Sequence, residues 1–209
     1  DLTWYNANPN EVVDLIRERN IPTVMGNHDA AVCGLEDPWF FRAAAKRAIE
    51  WQMEVLREDN RQWLASLPEQ IQFSGSCLGV HGSPSSRDDY IIDWLDAMRQ
   101  LDYLNGRESV NLCFFGHSHR PSFFSETGNT NTAEPGAVRQ ISPSNRYFIN
   151  PGALGQPRDR DPRAAWGLFD AQKMTFEFCR VEYDVEACAR KILQAGLPQE
   201  LARRLYKGK

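Results

Sequence analysis

Three observations predict an α/β fold. Helical and strand-like patterns alternate through the first half of the chain, and short strand-like runs separated by turns dominate the second. In addition, 42% of the 209 residues are hydrophobic, enough to bury a sizeable core. This length reads as one domain over residues 1–209. The formal charge of −4 is mild and the basic residues are scattered, so a nucleic-acid backbone is not an expected stable partner. No apolar run reaches the roughly 20 residues that span a bilayer, and none resembles a signal h-region. The expectation is a cytoplasmic protein without a membrane partner. Five cysteines, an odd number without a CxxC pair, read as reduced structural thiols, with Cys77 and Cys113 inside strand-like runs.

The first helix starts at Asn8-Pro9-Asn10-Glu11, where Asn8 is a candidate cap, Pro9 suits the first helical position and Glu11 can return a hydrogen bond. It is expected to run to about Asn20, burying Val12, Val13 and Ile16. Ile21–Met25 reads as a strand ending at Gly26, and this helix-to-strand step favours a largely parallel central sheet. From Pro38 to Leu67, apolar residues at three- and four-residue steps predict a pair of packed helices closed by Pro68. A hairpin follows: Ile71–Phe73 and Cys77–Val80 around Ser74-Gly75-Ser76. Tyr90, Ile91, Trp94, Leu95 and Met98 predict a helix over Asp88–Leu101, and Asn111–Phe115 a central strand.

Beyond that point, strands are expected at Phe123–Phe124, Val138–Ile141, Tyr147–Ile149, Ala165–Phe169 and Met174–Tyr183. Turns are placed at Gly128-Asn129 and Asp170–Lys173. Met174, Phe176 and Phe178 alternate with polar residues as a half-buried antiparallel strand requires. Helices over Val185–Gln194 and Gln199–Leu205 end the chain.

The histidines carry the chemical signal. The chain has four, and each stands just past an apolar run and beside glycine. His28 follows Val24-Met25-Gly26-Asn27; His81 follows Cys77-Leu78-Gly79-Val80 and precedes Gly82; His117 and His119 follow Leu112-Cys113-Phe114-Phe115-Gly116. Ligands gather at such strand ends in α/β sheets. If the backbone stays extended, His117 and His119, two positions apart, point the same way and can reach one metal ion.

Gly26-Asn27-His28-Asp29, His81-Gly82 and Gly116-His117-Ser118-His119, in that order, closely resemble the signature of the calcineurin-like metallophosphoesterases. Asn8–Val13, His28–Val32 and Asn150–Asp159 extend the resemblance to the small bacterial and archaeal phosphoesterases of that superfamily. The resemblance implies a four-layer αββα fold, a two-sheet β-sandwich flanked by helices. It also implies a phosphodiesterase or phosphatase with a dinuclear metal centre and a bridging hydroxide. Asp1 matches the carboxylate shared by the two ions, Asn27, His81 and His117 complete one shell, and His119 serves the other ion. Imidazoles, an amide oxygen and a carboxylate suit Mn, Fe, Zn or Ni, with Mn favoured. His28 is then available as general acid, with Asp29 expected to hold its imidazole in one tautomer.

Arg158 can fork onto a substrate phosphate, or pair with Asp159 or Asp161 instead. The family also carries an Asp-x-His motif upstream of the shared carboxylate, so a further β-α-β segment is expected before Asp1. A site lacking that motif would favour the rival reading, a phosphoesterase-fold scaffold or binding protein with impaired catalysis; a single-metal hydrolase is a third. Substrate choice among diesters, monoesters and phosphoproteins is assigned to the loops around Trp39–Phe41 and to the segment Pro121–Gln140.

Overall fold

In the computed structural model, which describes residues 1–107, 110–129 and 133–209, the chain order is as follows. The first part is helical: α1 (Pro9–Glu18), α2 (Asn27–Val32), a 3-10 turn (Pro38–Phe40), α3 (Ala43–Val55) and α4 (Glu58–Ala65). Next come β1 (Gln70–Phe73), β2 (Cys77–Val80), α5 (Trp94–Arg99), α6 (Leu101–Asn105) and β3 (Leu112–Phe114). Six strands follow: β4 (Ser122–Ser125), β5 (Gly128–Asn129), β6 (Val138–Gln140), β7 (Tyr147–Asn150), β8 (Ala164–Asp170) and β9 (Thr175–Val181). The last elements are α7 (Val185–Gln194) and α8 (Gln199–Lys207). Within the Pro121–Gln140 segment, residues 130–132 lie outside the described residues. Among the described residues, no helix is long and apolar enough to cross a membrane. The five cysteines are free thiols.

The chain divides into two units, Asp1–Glu69 with Asp184–Lys207, and Gln70–Tyr183 with Gly208–Lys209. The first is helical. One of its cores joins Val13 of α1, Ala31 and Val32 of α2, Ile49 of α3 and Leu64 of α4. The other packs α7 and α8, through Ala189, Ile192, Leu201 and Leu205, against Tyr5, Ala45 and Ala48. In α1 the expected cap takes another form: Asn8 Nδ2 donates to Glu11 Oε1 at 2.6 Å instead of bonding the backbone. The segment Ile21–Met25 does not enter a ladder as the sequence pattern suggests. Pro22 has no N–H to offer, and the Met25 N–H goes to the Pro68 carbonyl at 2.8 Å.

The second unit holds both sheets. The larger has strand order β1-β2-β3-β7-β4-β5, and the smaller β6-β9-β8. Among the described residues, the β2–β3 and β3–β7 pairings are parallel and the remaining pairings are antiparallel. The sheet is therefore mixed, not largely parallel. Its central strands alternate between two buried faces. Leu78, Cys113, Phe124 and Phe148 pack toward Ala97 of α5 and Leu104 of α6. Cys77, Leu112, Phe123, Tyr147 and Ile149 pack toward Phe176 and Phe178 of β9 in the smaller sheet. With both faces covered, these strands read as continuous apolar runs. Phe124, Phe148 and Phe176 are fully buried, each worth about 1.5–3 kcal/mol. The architecture is thus α/β, a two-sheet sandwich with flanking helices.

Two elements depart from their sequence patterns. The helix expected from Asp88 starts only at Trp94, because Asp93 caps it by accepting from the Asp96 N–H at 2.9 Å, while the Asp96 carboxylate returns to the Asp93 N–H. The turn expected at Gly128-Asn129 lies at Glu126-Thr127; Ser125 pairs with Gly128 and Phe124 with Asn129.

Candidate metal centre

In the second unit the parallel register sets the geometry. Cys77 faces Leu112, Leu78 faces Cys113 and Gly79 faces Phe114, so β2 and β3 end side by side. The residues just beyond them are held together, the Gly116 N–H donating to the His81 carbonyl at 2.8 Å. The result is a buried imidazole pair, with His81 Nε2 3.0 Å from His117 Nδ1. Two ring nitrogens at that separation can share one proton or face a common cation.

His117 and His119 do not lie on an extended backbone as the sequence suggests. Both adopt left-handed conformations, φ 59° and 57°, costing of order 1–3 kcal/mol each for non-glycine residues. Asn150, at the end of β7 and wholly buried, holds this loop. Its Nδ2 donates to the Gly116 carbonyl and the Ser118 hydroxyl, both at 2.9 Å, and its Oδ1 accepts from the Gly152 N–H at 2.8 Å. Since β7 pairs parallel to β3, a side chain at its end lands on the loop that leaves β3. Sequence reasoning did not assign Asn150 a role; its position directly after a strand-like run was the available signal.

His119 Nδ1 lies 2.7 Å from the Gln156 carbonyl. A carbonyl only accepts, so Nδ1 carries the proton and, in the neutral ring, Nε2 carries the lone pair. Tyr90, from the loop before α5, lies over the His117 ring at 3.9 Å between centroids. Gly82, next to His81, is obligatory: a Cβ there would stand 2.4 Å from the Arg87 carbonyl oxygen.

Burial, followed by the neighbouring Arg158 guanidinium, pushes the His117 imidazole down to about 4 and His119 to about 3, from a usual 6.5. Both rings are therefore neutral, the form that can ligate, at physiological pH. Asp159 pairs with Arg180 and Asp161 with Arg163, so the two carboxylates considered as partners of Arg158 serve other arginines.

A stability prediction follows for the metal-free protein. The unfolded chain takes up these two protons near pH 6.5, whereas the native state refuses them until about 4 and 3. Native stability is thus complete above 6.5 and declines as pH falls through that window, by on the order of 3 kcal/mol for His117 alone. Urea midpoints of chelator-treated protein are expected to fall steadily from pH 7 to pH 4, with a shallower fall in His117→Gln.

In the first unit, α2 delivers Asn27, His28 and Asp29, all buried. The His28 N–H donates to Asp1 Oδ1 at 3.0 Å. Gly26 gives Asp1 its place, since a Cβ there would stand 1.8 Å from that oxygen. Asp29 is a hub for backbone groups. Oδ1 accepts from the Leu2 N–H (3.0 Å), the Thr3 N–H (2.8 Å) and the Thr3 hydroxyl (2.7 Å). Oδ2 accepts from the Leu2 and Gly26 N–H groups, both at 3.1 Å. These five bonds fill the roughly four lone-pair sites of a carboxylate, so its acceptor capacity goes to residues 1–3 and the start of α2. The His28 ring is lined by Trp4, Tyr5 and Phe41, at centroid distances of 4.2, 5.3 and 4.9 Å.

Histidines near glycine, on a two-sheet α/β scaffold, agree with the family that comparison with known proteins identifies. The calcineurin-like phosphoesterase superfamily domain matches residues 1–174, and the chain belongs to that superfamily. It is 36% identical to an uncharacterized protein of Methanocaldococcus jannaschii, over all of this chain and 84% of that protein. Its structure is similar to the crystal structure of a metallophosphoesterase from Sphaerobacter thermophilus, with a TM-score of 0.84 and 36% identity over 98% of this chain and 84% of the other. A hypothetical protein from Pyrococcus horikoshii OT3 shares the fold at a TM-score of 0.79 and 19% identity, over 100% of this chain and 83% of that one.

Proposed function

We propose that this chain is a metal-dependent phosphoester hydrolase in which Asp1, Asn27, His81, His117 and His119 hold two divalent ions, Mn favoured over Fe, Zn and Ni. His28 donates the proton to the leaving oxygen, and Arg158 binds a non-bridging phosphate oxygen. The observation that carries the reading is the buried His81–His117 pair, with ring nitrogens 3.0 Å apart. The donor set fits hard-to-borderline ions: neutral imidazoles, a carboxylate and an amide oxygen, without thiolate. The Nδ1–H of His119, committed to the Gln156 carbonyl, supports ligation through Nε2. When bound, such ions act as Lewis acids and lower the pKa of a water molecule from about 15.7 toward 7.

The chain's own residues supply the rest. Arg158 is a permanent cation close enough to His117 and His119 to depress their basicity, which suits it to an anionic substrate. His28, the histidine of the Gly26–Asp29 motif, is held at its backbone by the Asp1 carboxylate and keeps its ring for proton transfer. The test is hydrolysis of bis(p-nitrophenyl) phosphate and p-nitrophenyl phosphate with added Mn²⁺. Turnover of either ester, abolished by chelator and restored by metal, is expected. Inertness toward both with metal bound overturns the enzyme reading in favour of a binding scaffold.

Asn150 provides a second check on the metal reading. Asn150→Ala removes the bonds that hold Gly116 and Ser118 in place, and metal affinity is expected to fall about 10- to 100-fold. Metal titration, with circular dichroism as a folding control, measures it; unchanged affinity would mean that the left-handed His117–His119 loop holds its shape without the Asn150 amide.

A further inference from the structure

Asp29 is committed to backbone donors, and the rings of Trp4, Tyr5 and Phe41 stand against the His28 ring. Trp4 lies over its face at 4.2 Å and 31°; Tyr5 and Phe41 meet it nearly edge-on, at 5.3 Å and 88° and at 4.9 Å and 76°. We propose that Trp4, Tyr5 and Phe41 are positioning residues that clamp the His28 imidazole in the single plane from which its proton reaches the leaving oxygen. This rests on His28 being the proton donor.

The clamp is rigid on physical grounds. The terminal torsion of a histidine is broad and roughly two-fold, so the ring left to itself samples many orientations. A face-on wall and two edge-on walls remove that freedom, while the His28 N–H bond to Asp1 Oδ1 fixes the backbone end. The walls are themselves anchored. Trp4 and Tyr5 meet each other edge-to-face at 4.6 Å and 74°, and Tyr5 is buried against α7 and α8. The Trp4 carbonyl accepts a hydrogen bond from Gln52 of α3, a side chain 1% exposed. Asp29 holds Leu2 and Thr3, the residues that lead into Trp4. It therefore orients His28 at one remove, through the aromatic walls.

A misplaced proton donor fails selectively. A p-nitrophenolate departs with little help, whereas a phenolate without the nitro group needs its proton, and general acid catalysis is worth typically 10²- to 10⁴-fold where it is needed. The experiment compares Trp4→Leu and Trp4→Phe in the Mn²⁺-loaded full chain on p-nitrophenyl and phenyl esters of one phosphate class. In Trp4→Leu, kcat is expected to fall about tenfold further on the phenyl than on the p-nitrophenyl ester, with KM little changed. Trp4→Phe, which keeps a ring over the imidazole, should restore most of the difference.

A second readout needs neither metal nor turnover. In the metal-free protein, the His28 Cε1 proton, identified by its loss in His28→Gln, should be shifted upfield by the Trp4 ring current. Trp4→Leu should abolish that shift and Trp4→Phe retain part of it. Equal losses on the two esters, or a lost shift with an unchanged kcat ratio, overturn the clamp. Should Trp4→Leu not fold, Phe41→Leu is judged by the same two criteria. His28→Ala separates the two readings: if it also fails to discriminate between the esters, the proton-donor assignment itself falls. If it discriminates and the wall variants do not, only the clamp falls.

Discussion

His28→Ala is expected to lower turnover about 10²- to 10⁴-fold and to leave the metal content of the purified protein unchanged, whereas His81→Ala should lose metal. The two histidines follow similar motifs, but their surroundings differ. His28 sits on the first turn of α2 with its ring among Trp4, Tyr5 and Phe41, an apolar enclosure that suits a proton donor. His81 stands past the end of β2 with its Nε2 3.0 Å from a His117 nitrogen, an arrangement that suits shared ligation. Removing His81 leaves its partner facing an incomplete shell. Elemental analysis beside kcat distinguishes the roles; equal metal loss in both variants would refute the split. The same comparison bears on pH. If His117 and His119 ligate the metal as proposed, its binding would hold both deprotonated, so the acid instability expected of the metal-free chain should recede.

The positions of the histidines were legible because burial leaves a plain mark: three apolar runs, each followed within two positions by a glycine. The parallel pairing of β2 and β3 then brings His81 and His117 together, as strand ends in an α/β sheet predict. The alternation in β9 was equally readable, with Phe176 and Phe178 buried against the larger sheet. What the sequence hid depends on partners far along the chain. Tyr90 and Ile91 fit a helical period with Trp94, yet the Asp93–Asp96 capping box starts the helix later and leaves Tyr90 to cover His117. The loop that carries the left-handed His117 and His119 is bonded at Gly116 and Ser118 by the amide of Asn150, more than 30 positions away. Local pattern could not show either contact, because neither involves the periodicity of its own segment.

Asp29 illustrates the same point and carries the largest stability effect expected of a substitution. Asp29→Ala removes the acceptor for the Leu2, Thr3 and Gly26 N–H groups and for the Thr3 hydroxyl. Asp29 and Thr3 are both 0% exposed, so water cannot easily replace the carboxylate. One buried unsatisfied donor costs about 1–3 kcal/mol; with partial relaxation of the segment, a loss on the order of 3 kcal/mol is expected. That is a fall of roughly 6–12 °C in Tm for a chain of this size. Asp29→Asn should be intermediate: its amide oxygen can keep the bonds made by Oδ1, while its NH₂ would face the Leu2 and Gly26 donors. Had Asp29 served chiefly to fix the His28 tautomer, both variants would lower kcat with Tm nearly unchanged. Differential scanning calorimetry of the metal-free proteins therefore decides between a carboxylate that holds the backbone and one that holds the imidazole.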